Sequence, residues 1–184
     1  MKSARKVMPS RKPARRLPPL NLTARIERLE KAVLFKTPAV PAPGARFINL
    51  GADGKPIDGD HVAVLQRATG LIWTAEPIFS GKEFTHEEAL KACASLNLLG
   101  KKDWRAPTIQ ELLSIIDYER CDPAVDPAHF KGPYGWTWSS TIAKAPSGCA
   151  WFVGLYDGDS DRYTQSLPIH ALAVRSGQQL GLLE

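Results

Sequence analysis

The chain has 184 residues and a mass of 20.2 kDa. That is room for one well-packed core with an appendage and too little for two full-sized domains. Hydrophobic residues make up 43% and charged residues 23%, the balance of a soluble globular chain, and no apolar run approaches the ~20 residues that span a bilayer. The basic opening Met1–Lys6 is not followed by the apolar stretch of about 7–15 residues that makes a signal peptide. The expectation is synthesis in the cytoplasm, with neither signal-dependent export nor membrane insertion.

The formal charge of +5 is unevenly placed. Residues 1–45 hold 11 Lys and Arg against 2 Asp and Glu, a net of +9, and residues 46–184 carry a net of −4. An anionic partner such as nucleic acid therefore concerns the N-terminal arm, through residues 1–16, and the mildly acidic body is a poor nucleic-acid binder. Cys93, Cys121 and Cys149 are odd in number, and neither a CxxC pair, an HExxH run nor a zinc-spaced Cys/His cluster occurs. They read as reduced thiols, with no metal site and no cofactor expected.

Residues 1–20 form a basic arm. Its seven cations, among them Arg11, Lys12, Arg15 and Arg16, have no acid beside them, and Pro9, Pro13, Pro18 and Pro19 oppose a helix. Residues 21–36 carry Leu22, Ile26, Leu29 and Val33 at spacings of 4, 3 and 4. This is the seam of a short amphipathic helix that either lies on its own domain or forms an oligomerisation coil. Residues 37–45 are a Pro-rich, extended linker, and the globular domain occupies residues 46–184.

In that domain Phe47–Leu50, Val62–Leu65 and Leu71–Trp73 read as strands, with a turn at Ala52–Lys55. Thr85-His86-Glu87-Glu88 and Thr108-Ile109-Gln110-Glu111 are capping boxes. Behind the first lies the stripe Ala89, Ala92, Cys93, Leu96, and behind the second Ile109, Leu112, Leu113, Ile116. Cys93, on a stripe, reads as a buried thiol. Trp136–Ser140, Ala150–Leu155 and Ile169–Val174 are the later strands. Strands, two helices and further strands make an α+β domain with an antiparallel sheet.

Several segments together resemble one family, the C-terminal domain of collagen-like bacterial adhesins (the Lcl C-terminal domain). In order they are Thr69–Trp73, Ala89–Leu96, Asp103-Trp104-Arg105-Ala106-Pro107-Thr108 with Glu111-Leu112, Asp117-Tyr118, then Pro123, Asp126 and Phe130. Trp138-Ser139-Ser140-Thr141, Ala150–Val153 and Val174-Arg175-Ser176-Gly177 follow. The resemblance covers about residues 46–178. It implies a C-type-lectin-like fold displayed as a ligand-binding head on an oligomeric stalk, on bacterial surfaces or in phage and prophage particles, without enzymatic activity. Ala106 stands where leucine is usual. Leu172-Ala173 replaces a usual Arg-Cys pair, which leaves Cys93 no partner for a disulfide there. Without a signal peptide or a Gly-X-Y stalk, a virion component is the better fit than a secreted adhesin. An oxidase-type branch of the fold needs a reactive cysteine pair or copper ligands, and three cysteines spaced 28 residues apart offer neither.

The matched blocks read as fold determinants. Trp104 is expected in the core, and Asp103 and Arg105 to pair or bond to loop backbone. The Ser139–Thr141 hydroxyls suit backbone satisfaction, and no base accompanies Ser139. In a lectin-like fold the ligand face comes from late loops, here 131–136, 142–149 and 156–166. They offer Tyr134, Trp136, Tyr156 and Tyr163 with Asp157, Asp159, Asp161 and Arg162, flat aromatics beside charges that suit sugar rings or protein partners. Trp136 shares a strand face with Trp138, so it is open to burial beside it. Asp157, Asp159 and Asp161 take alternate positions of a calcium-loop pattern, but Arg162 and Pro168 stand where Gly and Glu are required. The functional expectation is a non-enzymatic recognition module of an oligomeric assembly, preferably a trimer. Its head binds a receptor, glycan or neighbouring subunit, and its arm binds another virion or surface protein. A bacterial surface adhesin and a nucleic-acid-binding protein acting through the arm are the alternatives.

Overall fold

The computed structural model describes residues 45–177. The arm, the Leu22–Val33 seam and most of the linker, with Arg11, Lys12, Arg15, Arg16, Leu22, Ile26, Leu29 and Val33, lie outside the described residues.

Three four-residue strands open the domain: β1 (Phe47–Leu50), β2 (Ala63–Gln66) and β3 (Leu71–Thr74). They pair antiparallel, Ile48 with Leu65 and Leu65 with Ile72. The strands have almost no polar alternation because both faces of their sheet are covered. Ile48, Leu65 and Ile72 join one core cluster with Phe84, Ala89, Cys93, Trp104, Trp138 and Phe152. Phe47, Val64 and Trp73 join a second with Leu112, Ile115, Phe130, Val153 and Leu155. The last strand, β7 (Val174–Ser176), closes this sheet against β3, giving the order β1-β2-β3-β7.

Between β3 and β7 the chain builds three short helical segments. α1 (Ile78–Gly81) is a single turn wound left-handed at Phe79 (φ 52°) and Ser80 (φ 57°), a backbone state costly for residues with a Cβ; no sequence signal marks it. α2 (His86–Ser95) starts at the expected box, where the Glu88 carboxylate accepts from both the Thr85 amide (2.9 Å) and hydroxyl (2.8 Å). Its buried side is His86, Ala89 and Cys93. α3 (Ile109–Leu113) has the complete reciprocal box between Thr108 and Glu111. It stops after five residues, so Ile116 reaches the core from the turn beyond it.

A second antiparallel sheet has the order β4-β5-β6: β4 (Trp136–Ile142), β5 (Cys149–Gly154) and β6 (Ser160–Thr164). The domain is thus α+β and lectin-like as expected, but with two sheets in place of one. Two strand boundaries also need correction. Ile169–Val174 is not one strand: Ile169 only bridges Phe84, His170 bridges Thr137, and the ladder begins at Val174. Conversely Ser160–Thr164, expected as loop, is a strand. It lacks an apolar alternation because it is exposed along its whole length, and its backbone pairing to β5 holds it in place.

The motif residues act as fold determinants with long-range partners. Trp104 is 2% exposed and its indole donates to the Leu98 carbonyl. Asp103 and Arg105 do not pair with each other. Asp103 accepts two bonds from the buried Arg175 (2.8 and 3.0 Å), and Arg105 forks onto Glu111 (2.8 and 2.6 Å). Ser139 Oγ donates to the Trp151 carbonyl, and Thr141 Oγ1 accepts from the Ile109 amide. The hydroxyl block therefore ties β4 to β5 and to α3. Cys93 is buried against the Leu172 carbonyl, and burial pushes its thiol up to about 12, which removes it as a nucleophile at neutral pH.

Candidate functional site

At the start of β4 the chain passes closely by the segment before β7. Gly135 makes this possible: a Cβ there would stand 2.6 Å from the His170 ring. His170 donates its amide to the Trp136 carbonyl and accepts from the Trp138 amide, both at 3.0 Å. One residue earlier, Ile169 exchanges two backbone bonds with Phe84 (2.8 and 3.0 Å). Three stretches distant in sequence, around residues 83, 135 and 169, are thereby held side by side.

They enclose a cavity of about 420 Å³ whose walls include Tyr134, Trp136, Tyr156, Asp157, Glu83 and His170. Trp136 leans on Phe152, centroids 5.1 Å apart, and leaves 49% of its surface open; Tyr156 is 52% open. Trp138 packs against the same Phe152 from the buried side, at 6.2 Å. The two tryptophans do share a face, but Trp136 sits at the end of the strand beyond the core, so it is exposed where burial was open. Tyr134 is half-buried and its hydroxyl donates to the Phe130 carbonyl. Burial, and then the Asp126 charge, raise its phenol above the ordinary value. Asp157 accepts from the Asp159 amide at 3.2 Å, and Gly154 leaves room for it, since a Cβ there would meet its Oδ1. Among the described residues Glu83 makes no hydrogen bond or ion pair, and no Lys or Arg lines the cavity.

The other candidates lie elsewhere. Asp161, Arg162 and Tyr163 belong to β6. The Arg162 guanidinium lies over the Trp151 ring at 5.6 Å, and Tyr163, opposite Ala150, is 50% exposed. Asp161 accepts from the adjacent Arg162 amide, and Asp159 sits exposed in the turn before β6. The carboxylates of 157, 159 and 161 do not gather: among the described residues no group of three His, Cys, Asp or Glu side chains is placed to hold a metal ion. Sequence reasoning missed Glu83, His170 and the wall beside them. Their inclusion depends on the Phe84–Ile169 bridge, which carries no local signal.

The sequence of the Lcl C-terminal domain, as that family is described, matches residues 62–175. The chain belongs to the Lcl C-terminal domain family. The matched span runs from β2 to Arg175 in β7 and takes in every residue of the cavity wall. As a member of this family the domain is a recognition module of the adhesin-like kind. No curated protein matches the chain. Among the described residues no helix is long and apolar enough to cross a membrane.

Proposed function

We propose that the protein is a non-enzymatic recognition subunit of an oligomeric assembly, a phage or prophage virion component. In this reading the lectin-like head binds a receptor, glycan or neighbouring subunit through the cavity between β4 and the Glu83 and His170 segments. The observation that carries the recognition part is the pair of half-open aromatics, Trp136 and Tyr156, at a concave site in an otherwise well-packed domain. A rigid aromatic with one open side is the usual anchor of a binding surface. Cys93, buried and unionised, and Ser139, whose hydroxyl donates to a backbone carbonyl, both lie outside the cavity, so neither supplies it with a nucleophile. The assembly part rests on the sequence. Seven cations without an acid in residues 1–20 and the Leu22–Val33 seam need a partner surface; the trimer is preferred because the family resemblance implies heads displayed on trimeric stalks, whereas the seam's own Ile/Val and Leu pattern leans towards two strands.

Two measurements test this. The full chain applied to an array of bacterial-surface glycans should give signals that Trp136→Ala and Tyr156→Ala abolish; signals unchanged in both variants would place recognition elsewhere. Light-scattering mass should give a trimer for the full chain and a monomer for a chain starting at Arg46. Monomers in both would refute self-association through the seam. The concentration of positive charge in residues 1–45 favours a second reading, nucleic-acid binding through the arm. Its mark is an affinity that falls steeply with salt and vanishes when residues 1–16 are deleted.

A further inference from the structure

We propose that the cavity selects a small organic cation, an ammonium group carried on an apolar body. The inference rests on the reading of this cavity as the recognition site and specifies its ligand class. Both carboxylates on its wall, Glu83 and Asp157, are exposed, and no lining Lys or Arg compensates them among the described residues. Glu83 has no partner there either, so its charge is not spent within the fold. Carboxylates at a concave, partly apolar wall focus a negative potential, repelling anions and concentrating cations. Beside them stand an indole and a phenol, each about half open. The negative ring face attracts an ammonium, most strongly in Trp, and this pairing of aromatic walls with carboxylates is how quaternary and alkylated ammonium groups are held.

A neutral polyol can only hydrogen-bond to the two carboxylates, whereas an ammonium also gains their charge and the attraction of the open ring faces. A cavity of about 420 Å³ holds more than a bare ammonium ion, which leaves space for an organic body to pack on Trp136, Leu167 and Ile169.

The test uses the full chain and two probes of the same shape: choline, and its uncharged carbon isostere 3,3-dimethyl-1-butanol. The readout is the Trp136 indole N–H resonance, assigned by its loss in Trp136→Phe. Choline should move this resonance and bind at least about tenfold more tightly than the isostere. Raising salt should weaken it, because an exposed carboxylate pair is screened. Glu83→Gln, which removes a charge without removing any bond of the fold, should reduce choline affinity several-fold and leave the isostere unaffected. Equal or tighter binding of the isostere, or choline shifts that bypass Trp136, would overturn the proposal. If the isostere or a neutral monosaccharide moves Trp136 and choline does not, the cation assignment fails while the cavity stands as a recognition site. If no probe moves Trp136, the cation assignment is likewise overturned, and the Trp136→Ala array comparison decides independently whether the cavity recognises anything.

Discussion

Strands β2 and β6 make the same antiparallel hydrogen bonds, yet every residue of β2 is buried and every residue of β6 is exposed. The first sheet is sandwiched between two core clusters and held by side-chain packing. At its outer edge, the second sheet is held by its backbone ladder and leaves its side chains to solvent. Backbone pairing tolerates nearly any side chain, whereas a packed core registers the loss of single methylene groups. The domain thus separates a part whose residues are dictated by the fold from a part whose residues are free to serve a ligand. The cavity opens at the start of β4, where the same contrast recurs on one ring: Trp138 stands on the buried side of Phe152 and Trp136 on the open side.

If that division is correct, the largest loss comes from the packed side. Trp104→Ala should destabilise the domain by about 3–5 kcal/mol, the range for a buried aromatic cut to alanine. Chemical denaturation would measure it, and a change below ~1 kcal/mol would mean that Trp104 does not anchor the core. The next effect is that of Asp103→Asn, which leaves the fully buried Arg175 with a neutral partner. A buried pair broken on one side costs several kcal/mol, but Asp103 is 48% exposed, so solvent screening reduces the expectation to roughly 1–2 kcal/mol.

The same pair sets an acid sensitivity with a defined sign. Hydrogen bonding from Arg175 holds the Asp103 carboxyl below its ordinary value of 3.8, and Arg105 does the same for Glu111, below 4.5. Both groups bind protons more readily when unfolded. Their contribution is therefore complete above about pH 5 and is lost as pH falls through the depressed folded values. Denaturation midpoints followed from pH 6 to pH 2.5 should decline, and Asp103→Asn should flatten part of that decline. A profile identical to wild type would mean that the Arg175 pair contributes nothing to it.

Much of the fold was legible because its signals are local. Thr85 with Glu88 and Thr108 with Glu111 announce two helix starts within four residues, and the apolar runs of β1 to β3 announce strands. Trp104 was legible as core from its place ahead of a capped helix. The misreadings concern contacts that sequence distance hides. Asp103 and Arg105 are two residues apart and look like mutual partners, but each finds its ion pair elsewhere, Asp103 in a strand 72 residues away. β6 shows no periodicity because burial, the source of periodicity, is absent from it. At the site Tyr134, Trp136, Tyr156 and Asp157 were named from the late loops that the lectin-like resemblance points to and from their aromatic and acidic content. Glu83 and His170 could not be, because a backbone bridge brings them there.

Two smaller effects sharpen the contrast. Native alkylation at pH 8 should modify the exposed Cys121 and spare Cys93, whose thiol is buried and pushed up to about 12. Mass-mapped peptides would show it, and fast labelling of Cys93 would mean that the first core is open. Tyr163→Ala, on the exposed strand, should change stability by no more than about 0.5 kcal/mol. A larger loss would show that β6 is held by its side chains as well as its backbone.

The most direct test of the separation between fold and recognition is a paired measurement on Trp136→Ala in the full chain: its near-ultraviolet circular dichroism and thermal midpoint beside its binding to the glycan array and to choline. The account predicts a folded protein with a midpoint shifted by a few degrees and binding abolished. A folded variant that binds as well as wild type would contradict it.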